Sequence, residues 1–251
     1  MLKRFFVLTA LVALLTFATL APAGANHSWE DFHWARATNP ISLQIVDSMT
    51  GEWDTYLPLV NADWNASSVI NTSLEAGSTA YADRILCLPV AGKIRACNAE
   101  NPDVTWLGLA RVWLSGNHIT QATTQVNDFW FNTSLYNDPN AKRHVLCQEI
   151  GHDFGLDHTY VEPSCMDDIN GLFDPAFVDP GPHDYAQLET IYTHLDGGSG
   201  GGGGGCKGRK CTGSQSILGH DHGDHDHGGK VSTEIVRKGD VTVITFIHWA
   251  I

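Results

Sequence analysis

The chain has 251 residues and carries 28 acidic residues against 15 basic ones, a formal net charge of −13. A surface that acidic repels nucleic acid and anionic lipid, so neither is an expected partner. Residues 1–25, MLKRFFVLTALVALLTFATLAPAGA, open with Lys3 and Arg4, run apolar from Phe5 to Leu20 and close on Ala23-Gly24-Ala25. That is the pattern of a secretory signal peptide, and the apolar run is shorter than the roughly 20 residues a membrane span requires. Cleavage near Ala25 would leave 13 basic against 28 acidic residues, a formal −15, on a secreted monomer with no membrane association.

Glycine at the density of GGSGGGGGG holds no fixed backbone without a large entropy loss, so a flexible linker is expected at 197–205. It divides a main domain at 26–196 from a small tail module at 206–251. In the main domain, ISLQIVD (41–47) alternates as a strand does, and the stretch from Glu52 to Trp64 suits a helix packed on a sheet. SSVINTSLEA follows, then RILCLPVAGKIRAC, which reads as two short strands around Ala91-Gly92. WLGLARVWL (106–114) and HITQATTQVND are two further strands; the first is either an exposed sheet edge or ordinary sheet interior. AKRHVLCQEIGHDF (141–154) gives a helix an apolar side through Val145, Leu146, Ile150 and Phe154, and Gly155 is placed to end it. PHDYAQLETIYTHL puts Tyr185, Leu188, Ile191, Tyr192 and Leu195 on one face of a closing helix with Pro182 in its first turn. Strands followed by long helices predict an α+β fold. In the tail, STEIVRKGDVTVITFIHWA is expected to form a β-hairpin turning at Lys238-Gly239-Asp240.

Six cysteines in an exported chain suggest disulfides, and they fall into the plausible pairs Cys87–Cys97, Cys147–Cys165 and Cys206–Cys211, although sequence does not fix connectivity. The second pair would tie the helix at 141–154 to the loop holding Met166.

CQEIGHDFGLDH (147–158) carries the chemistry. Helical spacing sets Gln148 and His152 one turn apart on one face with Glu149 beside them. Gly155 turns the chain so that His158 can return to the same point. Three protein ligands and one open position make a catalytic zinc site. Gln148 is then a ligand through its amide oxygen, a weaker donor than imidazole. His144 is no substitute, because two helical turns, about 12 Å, separate it from His152. Ser164-Cys165-Met166-Asp167 can place Met166 as an apolar floor under the metal, while Asp153 and Asp157 are expected to be solvated or to support the ligands from outside.

Glu149, His152, Gly155, His158 and Met166 match the metzincin pattern H-E-x-x-H-x-x-G-x-x-H with its Met-turn at every position but the first, where Gln148 stands. With CQEIGH, GLDH, SCMD and HDYAQLETIY, the chain between His33 and Leu195 resembles secreted matrixin-like metalloproteases of bacterial type. The resemblance implies a twisted mixed sheet, an active-site helix, a Met-turn and a C-terminal helix. It also implies a Zn2+ cofactor, peptide or protein substrates, and Glu149 as the general base of metal-assisted peptide hydrolysis. Substrate would lie extended along 106–114 if that edge is open. The alternative is a catalytically inactive zincin-like scaffold that binds or sequesters metal. His220, His222, His225 and His227, interleaved with aspartates in HDHGDHDH, are a possible secondary metal site on a disordered loop.

Overall fold

The computed structural model describes residues 27–161, 163–168, 171–196 and 230–250. The expected signal peptide, the glycine run, Cys206, Cys211 and the histidine tract at 220–227 lie outside the described residues.

The described strands are β1 (His33–Trp34), β2 (Ile41–Ser48), β3 (Ile70–Ala76), β4 (Ile94–Ala99), β5 (Trp106–Ser115), β6 (His118–Asn127), β7 (Val231–Lys238) and β8 (Val241–Trp249). They form one mixed sheet in the order β3-β2-β4-β6-β5-β8-β7, with β1 pairing β6. Strands β2, β3, β4 and β6 run parallel to their neighbours in that half. Strand β5 is antiparallel to both β6 and β8. The alternation in β2 works as expected: Ile41, Leu43 and Ile45 are buried while Ser42 and Gln44 face out.

Helices α1 (Trp53–Trp64), α2 (Tyr81–Leu86), α3 (Asp128–Phe131), α4 (Pro139–Asp153) and α5 (Pro182–Ile191) complete an α+β architecture. Helix α1 buries Trp53, Leu57, Val60 and Trp64, one stripe at helical spacing, and the Trp64 indole N–H donates to the Cys147 carbonyl of α4 at 3.1 Å. Helix α4 starts where Asp138 accepts from the Asn140 and Ala141 amides with Pro139 in the first turn. It ends at Gly155, whose φ of +96° and 2.3 Å clearance from the Phe32 carbonyl to an added Cβ admit only glycine. Twelve of its 15 residues are buried, so this helix keeps almost no solvent face. Disulfides Cys87–Cys97 and Cys147–Cys165 are both formed. No helix among the described residues is long and apolar enough to cross a membrane.

Four expectations change. In RILCLPVAGKIRAC, Arg84, Ile85 and Leu86 close helix α2, Cys87 caps it at a left-handed φ of 40°, and only the end of the stretch, from Ile94, is a strand, β4. The closing helix stops at Ile191 rather than continuing to Leu195. The tail hairpin forms as expected but does not stand apart. Its β8 strand adds to β5, so 106–114 is sheet interior and offers no open edge. The physical reason is visible in β8 itself, where Ile244, Phe246 and His248 alternate onto the buried face and need a partner surface.

A close approach beneath α4 yields a test. A Cβ added at Gly151 would sit 2.4 Å from Met166 Sδ and 2.7 Å from Trp64 Cζ2. Gly151→Ala is therefore expected to destabilise the fold by about 1–3 kcal/mol through overpacking. Denaturant unfolding measures this, and an unchanged midpoint would show that Met166 is not wedged under the helix.

Candidate metal centre

Helix α4 presents Gln148, Glu149 and His152 in succession, and the Gly155 turn returns His158 to them. The His152 and His158 Nε2 atoms lie 3.1 Å apart, with the two rings nearly perpendicular. Two donors about 2.0–2.1 Å from one tetrahedral zinc stand roughly 3.3 Å apart, so the pair is spaced for a shared cation. The other nitrogen of His152, Nδ1, donates to the Leu156 carbonyl at 2.9 Å, which leaves Nε2 as the bare lone pair. Burial lowers the His152 pKa to about 4, so this imidazole is neutral near pH 7.

The surroundings are stiff. Cys147–Cys165 joins α4 to the segment below it, and Met166, fully buried, packs against Gly151. The Thr159 amide donates to the Met166 carbonyl at 2.9 Å, fastening the chain just after His158 to the same turn. Beneath this turn the Ser164 hydroxyl donates to Asp184 of α5, whose carboxylate also receives the Gly181 amide at 2.7 Å.

Glu149 is buried against β5. The Ala110 amide donates to its carboxylate, while Oε2 is buried without a hydrogen-bond partner. Burial, with the neighbouring Asp153 adding to it, pushes this carboxyl well above the ordinary range. Asp153, expected either in solvent or behind the ligands, is fully buried and accepts from the Thr124 hydroxyl at 2.7 Å. It bridges helix to sheet instead of facing water.

Gln148 is where the sequence expectation and the geometry part company most. Its amide oxygen, the atom required for coordination, spends one of its two lone pairs on His248 Nδ1–H at 2.7 Å. Among the described residues no third histidine, cysteine or carboxylate comes close enough to join the His152–His158 pair as a compact trio. The Gln148 oxygen, on the same helix, is engaged by His248. His144 stays outside, as expected, hydrogen-bonded to the Phe177 carbonyl at 2.8 Å.

No protein-family profile matches the chain, and no curated protein matches its sequence. The reading of the centre rests on its own chemistry.

Two residues of the centre escaped the sequence reading. Phe246 of β8 stacks on His152 at a centroid distance of 4.1 Å and an interplanar angle of 4°, with Trp29 against its edge. His248, two residues on and on the same strand face, is buried and reaches Gln148. The alternation in TFIHWA was the available signal, since i and i+2 of a strand share a face. Nothing local says which helix that face would meet.

Gln148→Ala would leave the buried His248 N–H without its acceptor, a cost of about 1–3 kcal/mol. Faster amide hydrogen exchange through β8 is the expected readout. Exchange that does not change would mean the Gln148–His248 bond contributes nothing to seating the strand.

Proposed function

We propose that the chain is a secreted zinc-dependent endopeptidase whose peptide groove is filled by its own C-terminal hairpin. The observation that carries this reading is the course of β8. It runs antiparallel along β5 and lays Phe246 directly on His152, the path an extended peptide would take past the metal pair. The donors present suit zinc: two imidazole nitrogens at the right spacing, with the Gln148 amide oxygen as the third. Zinc held there supplies Lewis acidity toward a peptide carbonyl and toward water.

The chain's own residues do the rest. Glu149, whose carboxyl burial raises, would be ionised beside a bound cation, which favours the charged form, and its Oε2 would then take the proton of the attacking water and pass it to the leaving amine. Strand β5 offers its backbone to the substrate once β8 has left. Leu135, Tyr136, Leu172 and Phe173, which with Lys230, His248 and Trp249 line a cleft of about 710 Å³, would stay as an apolar wall for a substrate side chain once the hairpin has left. Met166 and the Cys147–Cys165 bridge hold these parts in register, the fit that the metzincin-like motif leads one to expect.

One observation favours the second reading, a catalytically silent zincin-like scaffold. The Gln148 oxygen faces His248, and the hairpin seals the helix as completely as a core strand would. Peptide hydrolysis by the zinc-loaded full chain, before and after the hairpin is released, separates the two. Activity that appears on release supports the peptidase; none after release, with zinc bound, supports the scaffold.

A further inference from the structure

A second constellation lies away from α4, where β1, the turn between β5 and β6, and the chain beyond α5 meet. His33 and His118 are register partners across the β1–β6 pairing. Their rings stand at 4.9 Å, nearly perpendicular, and His194 approaches His33 at 4.8 Å from the other side. All three imidazoles aim Nε2 at one atom, Asp196 Oδ1: His118 at 3.1 Å, His194 at 3.3 Å and His33 at 3.5 Å. Donors around a tetrahedral zinc are separated by roughly 3.3 Å, and these three distances bracket that value.

The groups behind the donors are also fixed. His33 Nδ1 lies 2.5 Å from the Asp31 carbonyl, which can only accept, so the proton is on Nδ1 and Nε2 is a bare lone pair. The Asp196 Oδ2 atom receives the Arg36 amide at 2.9 Å, turning Oδ1 toward the histidines. The Arg36 side chain donates to the His194 carbonyl at 2.9 Å, to the Tyr192 carbonyl and to Asn39, pinning the segment that carries His194 and Asp196. With neutral imidazoles, hydrogen bonds alone do not satisfy the cluster. His118 and His194 as Nε2–H tautomers would fill both lone pairs of Oδ1 and leave the His33 lone pair aimed at an oxygen. A divalent cation held by His33, His118 and Asp196 removes that conflict.

We propose that His33, His118 and Asp196, mutually within ligand distance, hold a zinc ion separate from the pair on α4, with His194 beside Asp196 as the fourth ligand once its ring swings toward them. Its ligands come from β1, β6 and the chain beyond α5, so its role is structural. It clamps the first strand and the chain beyond α5 onto the β5–β6 turn. The other compact trio, His27, His183 and Asp184, lies apart, with Asp184 Oδ2 serving Ser164 and Gly181.

The test compares the full chain with the full chain carrying His118→Asn and His194→Asn. These side chains are 42% and 55% exposed, so their replacement leaves the core intact. Zinc is added as the ion and read by competition with a chromophoric chelator, alongside thermal midpoints in zinc and in EDTA. The expected result is one zinc fewer per variant chain, equal midpoints in EDTA and a zinc-induced rise confined to wild type, with zinc at His152–His158 unaffected. Asp196→Asn, which keeps the Arg36 contact, is expected to weaken zinc retention at this site by at least about tenfold. Equal zinc content and equal zinc-induced shifts in wild type and variant would overturn the proposal. So would a difference already present in EDTA to which zinc adds nothing, since the cluster would then be an imidazole–carboxylate network.

Discussion

Charging the buried face of β8, with Ile244→Asp and Phe246→Asp in the full chain, is expected to release the hairpin and raise peptide hydrolysis about a hundredfold or more. Both side chains are 1% exposed. Burying two such groups contributes about 3–6 kcal/mol, and each 1.4 kcal/mol is tenfold in the fraction of molecules with an open groove. The hairpin competes as a tethered ligand at high effective concentration, so added peptide does not displace it and the wild-type chain should be nearly silent. A fluorogenic peptide assay on zinc-loaded protein reads the gain, and amide exchange in 230–250 reports release independently. Phe246→Ala, which shortens the plug without burying a charge, should give a smaller gain. Release without any hydrolysis would discard the peptidase reading.

In that released background, Glu149→Gln should lower hydrolysis by about 100- to 10,000-fold while leaving zinc content unchanged. The substitution keeps volume and the Ala110 contact but removes the proton acceptor. Its effect belongs on kcat rather than KM, because the groove and the metal ligands are untouched. A released Glu149→Gln chain that cleaves as fast as its parent would assign the base elsewhere.

Much of the centre was legible because it is local. Helical spacing joined Gln148, Glu149 and His152; glycine chemistry predicted the turn at Gly155; cysteine spacing anticipated the bond under the helix. The strands β2, β5, β6 and the hairpin were legible for the same reason, through alternation within each segment. What escaped was pairing between distant segments. Nothing in WLGLARVWL distinguishes an edge from an interior strand, because its partner β8 lies beyond the glycine run. Helix α2 was missed since Cys87, in a left-handed conformation, separates it from β4 inside what looked like one β-rich stretch. Sequence left Asp153 open between solvent and a place behind the ligands, because an aspartate near a helix end ordinarily faces water; the Thr124 hydroxyl on β6, which donates to it, decides for burial. The cluster at Asp196 was invisible in sequence, its four donors coming from three separate parts of the chain.

The pairing of Leu109 with Ile247 also bears on how the molecule is made. Strand β5 emerges during synthesis long before β8 exists, and the cost of closing so large a loop makes their pairing a late, slow step. Until then β5 presents a row of unpaired N–H and C=O groups beside Leu107, Leu109 and Val112, a template for joining another chain. The nascent protein is thus most exposed to self-association in the interval before its last strands arrive. The strand that pairs with β5 in the finished fold is also the cap that ends that hazard.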